Sequence, residues 1–125
     1  MNLNDCLNWI IDDGIEAARA DYARPDQGLH LDGSIAGFEE CRGKTPPEIA
    51  DLILAARLRA DQAMRDEDAR YWYWRCRSLE IEWVANVLSN IMMAQGWPAI
   101  GIATYRGLMK AAEIIGVSER EGGVT

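Results

Sequence analysis

Four aromatic rings in succession, Tyr71-Trp72-Tyr73-Trp74, stand near the start of a helical pattern that runs from about Asp66 to Gln95. Residues of an α-helix step around its axis by about 100° each, so four consecutive rings cannot all face one neighbour. A helix carrying them must be packed on more than one side, and the rest of the chain has to supply the layers. With Trp72 as origin, Tyr73, Cys76, Leu79, Trp83, Val84, Val87 and Ile91 fall within an arc of roughly 140°. Trp74, Ile81, Ala85, Leu88 and Met92 make a second apolar strip, which leaves Tyr71, Arg75, Ser78, Glu82, Asn86 and Ser89 for solvent.

Glu80 interrupts the main arc. An unpaired buried carboxylate costs several kcal/mol, so it needs a partner or a proton. Arg77, one turn earlier, and Arg57, on the preceding helix, are the natural partners for a structural ion pair. The alternative is a carboxylate in a pocket, with its pKa raised. Asn90 falls on the same arc and needs a hydrogen-bond partner for the same reason.

The elements on either side follow from caps and periodicity. Asn2 or Asn4 caps a first helix to about Tyr22, with Leu3, Leu7, Ile10, Ile11, Ala18 and Tyr22 at helical spacing. Gly14 in that apolar face calls for a bulky neighbour, expected to be a ring of the central helix. Arg24 to Gly33 reads as a loop, and Ser34 to Cys41 as a short helix over one end of the bundle. Thr45-Pro46-Pro47-Glu48 is a capping box with proline at the first helical position. The helix it opens and the central one form a hairpin over about 46–95, with Asp66 expected to cap the second arm. Gly96-Trp97-Pro98 stops the central helix. A last helix carries Ile102, Tyr105, Leu108, Met109, Ala112 and Ile115 as its apolar positions, Gly116 ends it, and 118–125 is expected to fray.

The expected fold is therefore all-α: one domain over 1–125, a bundle of four main helices and one short one. At 125 residues and 49% hydrophobic the chain can bury a core without staples. Cys6, Cys41 and Cys76 are too few and too scattered, with His30 the lone imidazole, for a disulfide framework or a zinc site. The amino terminus has Asn2, Asn4 and Asp5 where a signal peptide would be apolar, and the expected location is cytoplasmic.

The net charge of −7 argues against direct nucleic-acid binding and against an anionic membrane. Residues 1–45 hold nine acids and four bases, whereas 46–77 hold six of each. In that acidic front Trp9 shares the polar side of the first helix with Asp5, Asp12, Asp13 and Glu16. A ring among carboxylates suits a docking anchor for a basic protein. It also suits a ring folded over the core edge beside solvated acids.

Chemical motifs are sparse. Gly37 and Gly43-Lys44-Thr45 lack the spacing, the preceding strand and the free N–H groups of a phosphate loop. Asp12-Asp13-Gly14-Ile15-Glu16 resembles in form the aspartate-rich segment by which helical terpenoid synthases hold magnesium and diphosphate, over five residues only. Glu48-Ile-Ala-Asp51 and Glu80-Ile-Glu82 do not reproduce the paired acidic motifs of helical nucleotide pyrophosphohydrolases. Ala111 to Ser118 resembles the turn of a helix-turn-helix, but an acidic, glycine-rich stretch stands where the recognition helix belongs. No catalytic, metal or cofactor set emerges.

The sequence thus favours a non-enzymatic interaction protein for a basic protein partner, in the physical manner of small acidic inhibitors of nucleic-acid-handling proteins such as immunity, anti-CRISPR or DNA-mimic proteins. Trp9, Asp12, Asp13, Glu16 and Tyr71 are its contact candidates. The alternatives are a small all-α module using Mg2+ and a nucleotide or diphosphate, with Glu80 or the Asp12 cluster as its site, and a structural homodimer. Ten aromatic residues exceed what so small a core absorbs, so ring surface should remain for an interface.

Overall fold

A computed structural model describes residues 1–125. The chain forms five α-helices: α1 (Leu3–Asp21), α2 (Gly28–Cys41), α3 (Pro46–Arg65), α4 (Tyr71–Ala94) and α5 (Tyr105–Arg120), with a single 3-10 turn at Pro25–Gln27 before α2. There are no strands, and the helices pack on one another as an all-α bundle with α4 at its centre.

The caps act as the sequence indicates. Asn2 accepts from the Asp5 N–H at 2.8 Å and the Asp5 carboxylate accepts from the Asn2 N–H, which closes a capping box. Thr45 and Glu48 close the second one, with Pro46 at the first helical position. At the far end of α4, Gly96 has φ +77° and the Trp97 N–H reaches back to the Met92 carbonyl at 2.8 Å. That left-handed residue stops the helix by satisfying carbonyls that would otherwise be orphaned.

The bend of the hairpin differs from expectation. Asp66 ends α3 instead of opening α4, and Glu67 takes the left-handed conformation at φ +50°. The Asp68 N–H then bonds the Ala63 carbonyl at 2.9 Å, the same closure as at Gly96 but built on a residue with a side chain. The Asp68 carboxylate accepts from the Arg70 N–H at 2.7 Å, and α4 starts at Tyr71.

α2 is longer than the expected Ser34–Cys41 piece and lies along α4 instead of across one end. Gly33 and Gly37 allow this, one turn apart on the contact face. A Cβ on Gly33 would stand 2.2 Å from the Tyr73 carbonyl oxygen, and one on Gly37 2.4 Å from that of Arg77. Two helix backbones can meet this closely only where side chains are missing. The neighbour of Gly14 is likewise Phe38 of α2, not a ring of α4: a Cβ there would lie 2.2 Å from the ring.

Around α4 the burial changes along its length. From Val84 to Met92 nearly every residue is buried, whereas Trp72 and Leu79, expected at the middle of the main face, are 50% and 40% exposed. Ser78 and Ser89, expected in solvent, are buried. The cause is where the neighbours end. Thr104 and the start of α5 are clamped to Asn86 and Asn90, so nothing from α5 covers Trp72. Asn90 donates to the Asn86 carbonyl at 2.9 Å, and Asn86 exchanges hydrogen bonds with Thr104 at 2.8 Å.

α5 meets α4 through Gly107, Ala111, Ile114 and Ser118, all buried. Small side chains bring it close: a Cβ on Gly107 would lie 2.2 Å from Asn86 Oδ1. Of the residues expected to form its core face, Ile115 packs on the core, but Ile102, Tyr105, Leu108 and Met109 point away, at 73%, 74%, 47% and 60% exposed. Gly116 does not end the helix, and the tail is docked. The Met1 amino group donates to the Gly123 carbonyl at 3.2 Å, the Thr125 N–H donates to the Met1 carbonyl at 3.2 Å, and Val124 packs on the core. No helix is long and apolar enough to cross a membrane.

Candidate functional site

The polar face of α1 is engaged by the rest of the fold. Trp9 is half-buried against the core, and its Nε1 donates to Asp13 Oδ2 at 3.1 Å. Lys110 of α5 reaches the same carboxylate. Arg42, just after α2, bonds Asp12 at 2.7 Å while also holding Glu39 at 2.8 Å. Glu16 is exposed and makes no ion pair. The Asp12, Asp13, Glu16 set therefore does not converge on one point, and no three His, Cys, Asp or Glu side chains gather as a metal site would require.

Glu80 has neither of its expected partners. Arg77 is held by Glu40 of α2, with one contact at 2.8 Å, and Arg57 by Glu82. The register of the helices explains this: α2 passes directly over Arg77, and α3 approaches on the Glu82 side. Glu80 instead lines a cleft of about 340 Å³ between α1, α4 and α5, with Asp21, Tyr22, Trp83 and Arg106 on its walls. Burial, and then the charge of Asp21, push its carboxyl up to about 7. Glu80 thus makes no ion pair with Arg77 or Arg57.

A second cleft, of about 480 Å³, opens between α3, α4 and the segment joining α4 to α5. Its walls are mostly apolar, from Ile53, Leu54, Leu79, Trp83, Ile100 and Ile102, and the Arg57–Glu82 pair closes one edge. Leu54 is 63% exposed at its lip, and Leu58, one turn further along α3, continues the apolar surface. Sequence reasoning missed this groove because it assigned Leu79 and Ile102 to the core. The available signal was Leu54 and Leu58 on a second face of α3.

The aromatic run is divided between two roles. Trp74 and Tyr73 sit under arginines, with Arg59 4.0 Å from the Trp74 ring centre and Arg70 4.6 Å from that of Tyr73. The first clamps α3 to α4, and the second is local to the start of α4, where Arg70 is the N-cap. Trp72 stacks on His30 with ring centres 4.8 Å apart, Tyr71 meets Trp72 edge-on at 5.2 Å, and Tyr22 continues the row beyond His30. Tyr71 is thus half-buried at one end of a partly exposed ladder joining α1, α2 and α4. No protein-family model, curated protein or solved structure matches this chain.

Proposed function

We propose that the protein is a non-enzymatic interaction protein, and that the groove between α3, α4 and the α4–α5 segment receives an apolar helical segment of a basic protein partner. The observation carrying this reading is the groove itself. It is concave, about 480 Å³ in volume and rimmed by exposed Leu54 and Ile102, with exposed Leu58 one turn further along α3. Monomeric proteins rarely leave contiguous apolar surface of this kind without a use for it. The net charge of −7 supplies long-range attraction for a basic partner. The acids of α1 then contribute to encounter more than to contact, since Asp12 and Asp13 already have partners within the fold.

The test uses a Leu/Lys amphipathic helical peptide as probe, titrated into isotope-labelled protein. Chemical-shift changes centred on Leu54, Trp83 and Ile102, abolished by Leu54→Asp and weakened by salt, support the reading. Changes spread evenly over the acidic surface, or unaffected by Leu54→Asp, overturn it.

A second reading, a small-ligand pocket at Glu80, is favoured by that carboxylate lining a cleft without an ion-pair partner. A rise in melting temperature with an organic cation, lost in Glu80→Gln, would support it.

A further inference from the structure

α5 is apolar on two opposite sides. Its buried side is Gly107, Ala111, Ile114 and Ser118, and half a turn away Tyr105, Leu108, Met109 and Ala112 form an outward stripe at positions i, i+3, i+4 and i+7. A helix normally buries its apolar stripe, so this second stripe of α5 lacks a neighbour within the chain. We propose that the neighbour is α5 of a second copy, packed antiparallel across a two-fold axis. The surface is separate from the groove, and this inference does not depend on the reading given to that groove.

Two features of the stripe point to a second copy. The first is volume. Its amino-terminal half is bulky, with Tyr105, Leu108 and Met109, and its carboxy-terminal half is small, with Ala112 and, one turn on, Gly116. A Cβ on Gly116 would meet nothing within 4 Å, so the fold itself makes no use of this glycine's small size. An antiparallel pair sets the bulky half of each copy over the small half of the other, and parallel pairing would oppose bulk to bulk.

The second feature is charge. Arg106 and Glu113 lie on the same flank of the stripe, near its opposite ends. Arg106 makes no salt bridge within the chain; it lies over the Trp83 ring at 5.7 Å, on the wall of the Glu80 cleft. Glu113 is 54% exposed and held on one side only, by Lys110 at 3.0 Å. In antiparallel helices like flanks face each other, so Arg106 of each copy meets Glu113 of the other, twice per dimer.

About three turns of helix per copy put this interface at the small end of specific contacts, with a dissociation constant on the order of micromolar. Light scattering behind size exclusion, at about 100 µM protein, is therefore the test. The expected mass is twice the chain's 14.0 kDa, and high salt should leave most of the dimer intact. Met109→Lys changes a residue that is 60% exposed, so the fold survives, which circular dichroism verifies, while the dissociation constant rises at least ten-fold. Glu113→Arg should weaken the dimer, and adding Arg106→Glu should bring most of the affinity back. A wild-type monomer at this concentration, a dimer indifferent to Met109→Lys, or a double variant no tighter than Glu113→Arg alone would each overturn the proposal.

Discussion

Replacing Glu80 by glutamine should stabilise the protein at pH 8 and leave it nearly unchanged at pH 4.5. In the folded chain the Glu80 carboxyl stands at about 7 instead of its ordinary 4.5, because burial and Asp21 both disfavour its charge. The folded state therefore holds this proton more tightly than the unfolded chain does. Its contribution is complete below about 4.5 and is lost as pH rises to about 7. One pKa unit corresponds to about 1.4 kcal/mol, so above pH 7 the ionised group costs the fold about 3 kcal/mol, reduced to about 2 by partial solvent access. Glutamine keeps the shape and never ionises. For a chain this long the gain amounts to roughly 4 °C in Tm per kcal/mol, or about 8 °C at pH 8. Differential scanning calorimetry of both proteins from pH 4.5 to 8 reads it directly, and taking the difference removes the titration of all other carboxylates. The other titratable groups near Glu80 are Asp21, Tyr22 and Cys76, with Arg106 across the cleft. If Arg106 turned in to pair with Glu80, the variant would be less stable at pH 8. That outcome, or a pH-independent difference, would refute the reasoning.

Gly37→Ala should destabilise the fold by about 3 kcal/mol, at the upper end for overpacking, because the new methyl meets the Arg77 backbone, which cannot swing aside; urea unfolding measures it, and a loss below about 1 kcal/mol would mean α2 shifts freely on α4. Glu67→Gly should instead stabilise by about 1 kcal/mol, since glycine takes the positive φ at the α3–α4 bend without the strain of a Cβ. The same urea titration tests it through the shift in midpoint.

Caps were the most legible part of the fold, since each is a local arrangement of side chain and backbone. Thr45 to Glu48 and Gly96 specify their helix ends within four residues, and the structure keeps both. The hairpin over about 46–95 was legible as two helical patterns, although its bend hid behind Asp66: an aspartate is equally at home before a helix and after one. What could not be read was which apolar stripe finds a neighbour. Periodicity marks Tyr105, Leu108 and Met109 as a face, but Gly107 and Ala111 bind α5 to α4 because small residues allow closer approach. The same blindness shortened α2, whose Gly33 looked like a loop residue and is, with Gly37, a contact point. Glu80 stands out from its angle alone. Its partners were misjudged because Glu40 and Glu82 compete for the same arginines, and only the packing of α2 and α3 decides which carboxylate wins.

The three cysteines divide themselves among α1, α2 and α4, one to each helix, and every one is buried and unpaired. Burial raises the pKa of each thiol, and that of Cys41 to about 12, so the reactive thiolate is scarce while the fold is closed. Alkylation must then wait for a helix to lift away, and the labelling rate at each cysteine becomes a clock for the opening of that segment. Three peptides resolved by mass spectrometry would rank the helices by how often they detach. With no substitution at all, the chain carries its own reporters of which layer of the bundle is loosest.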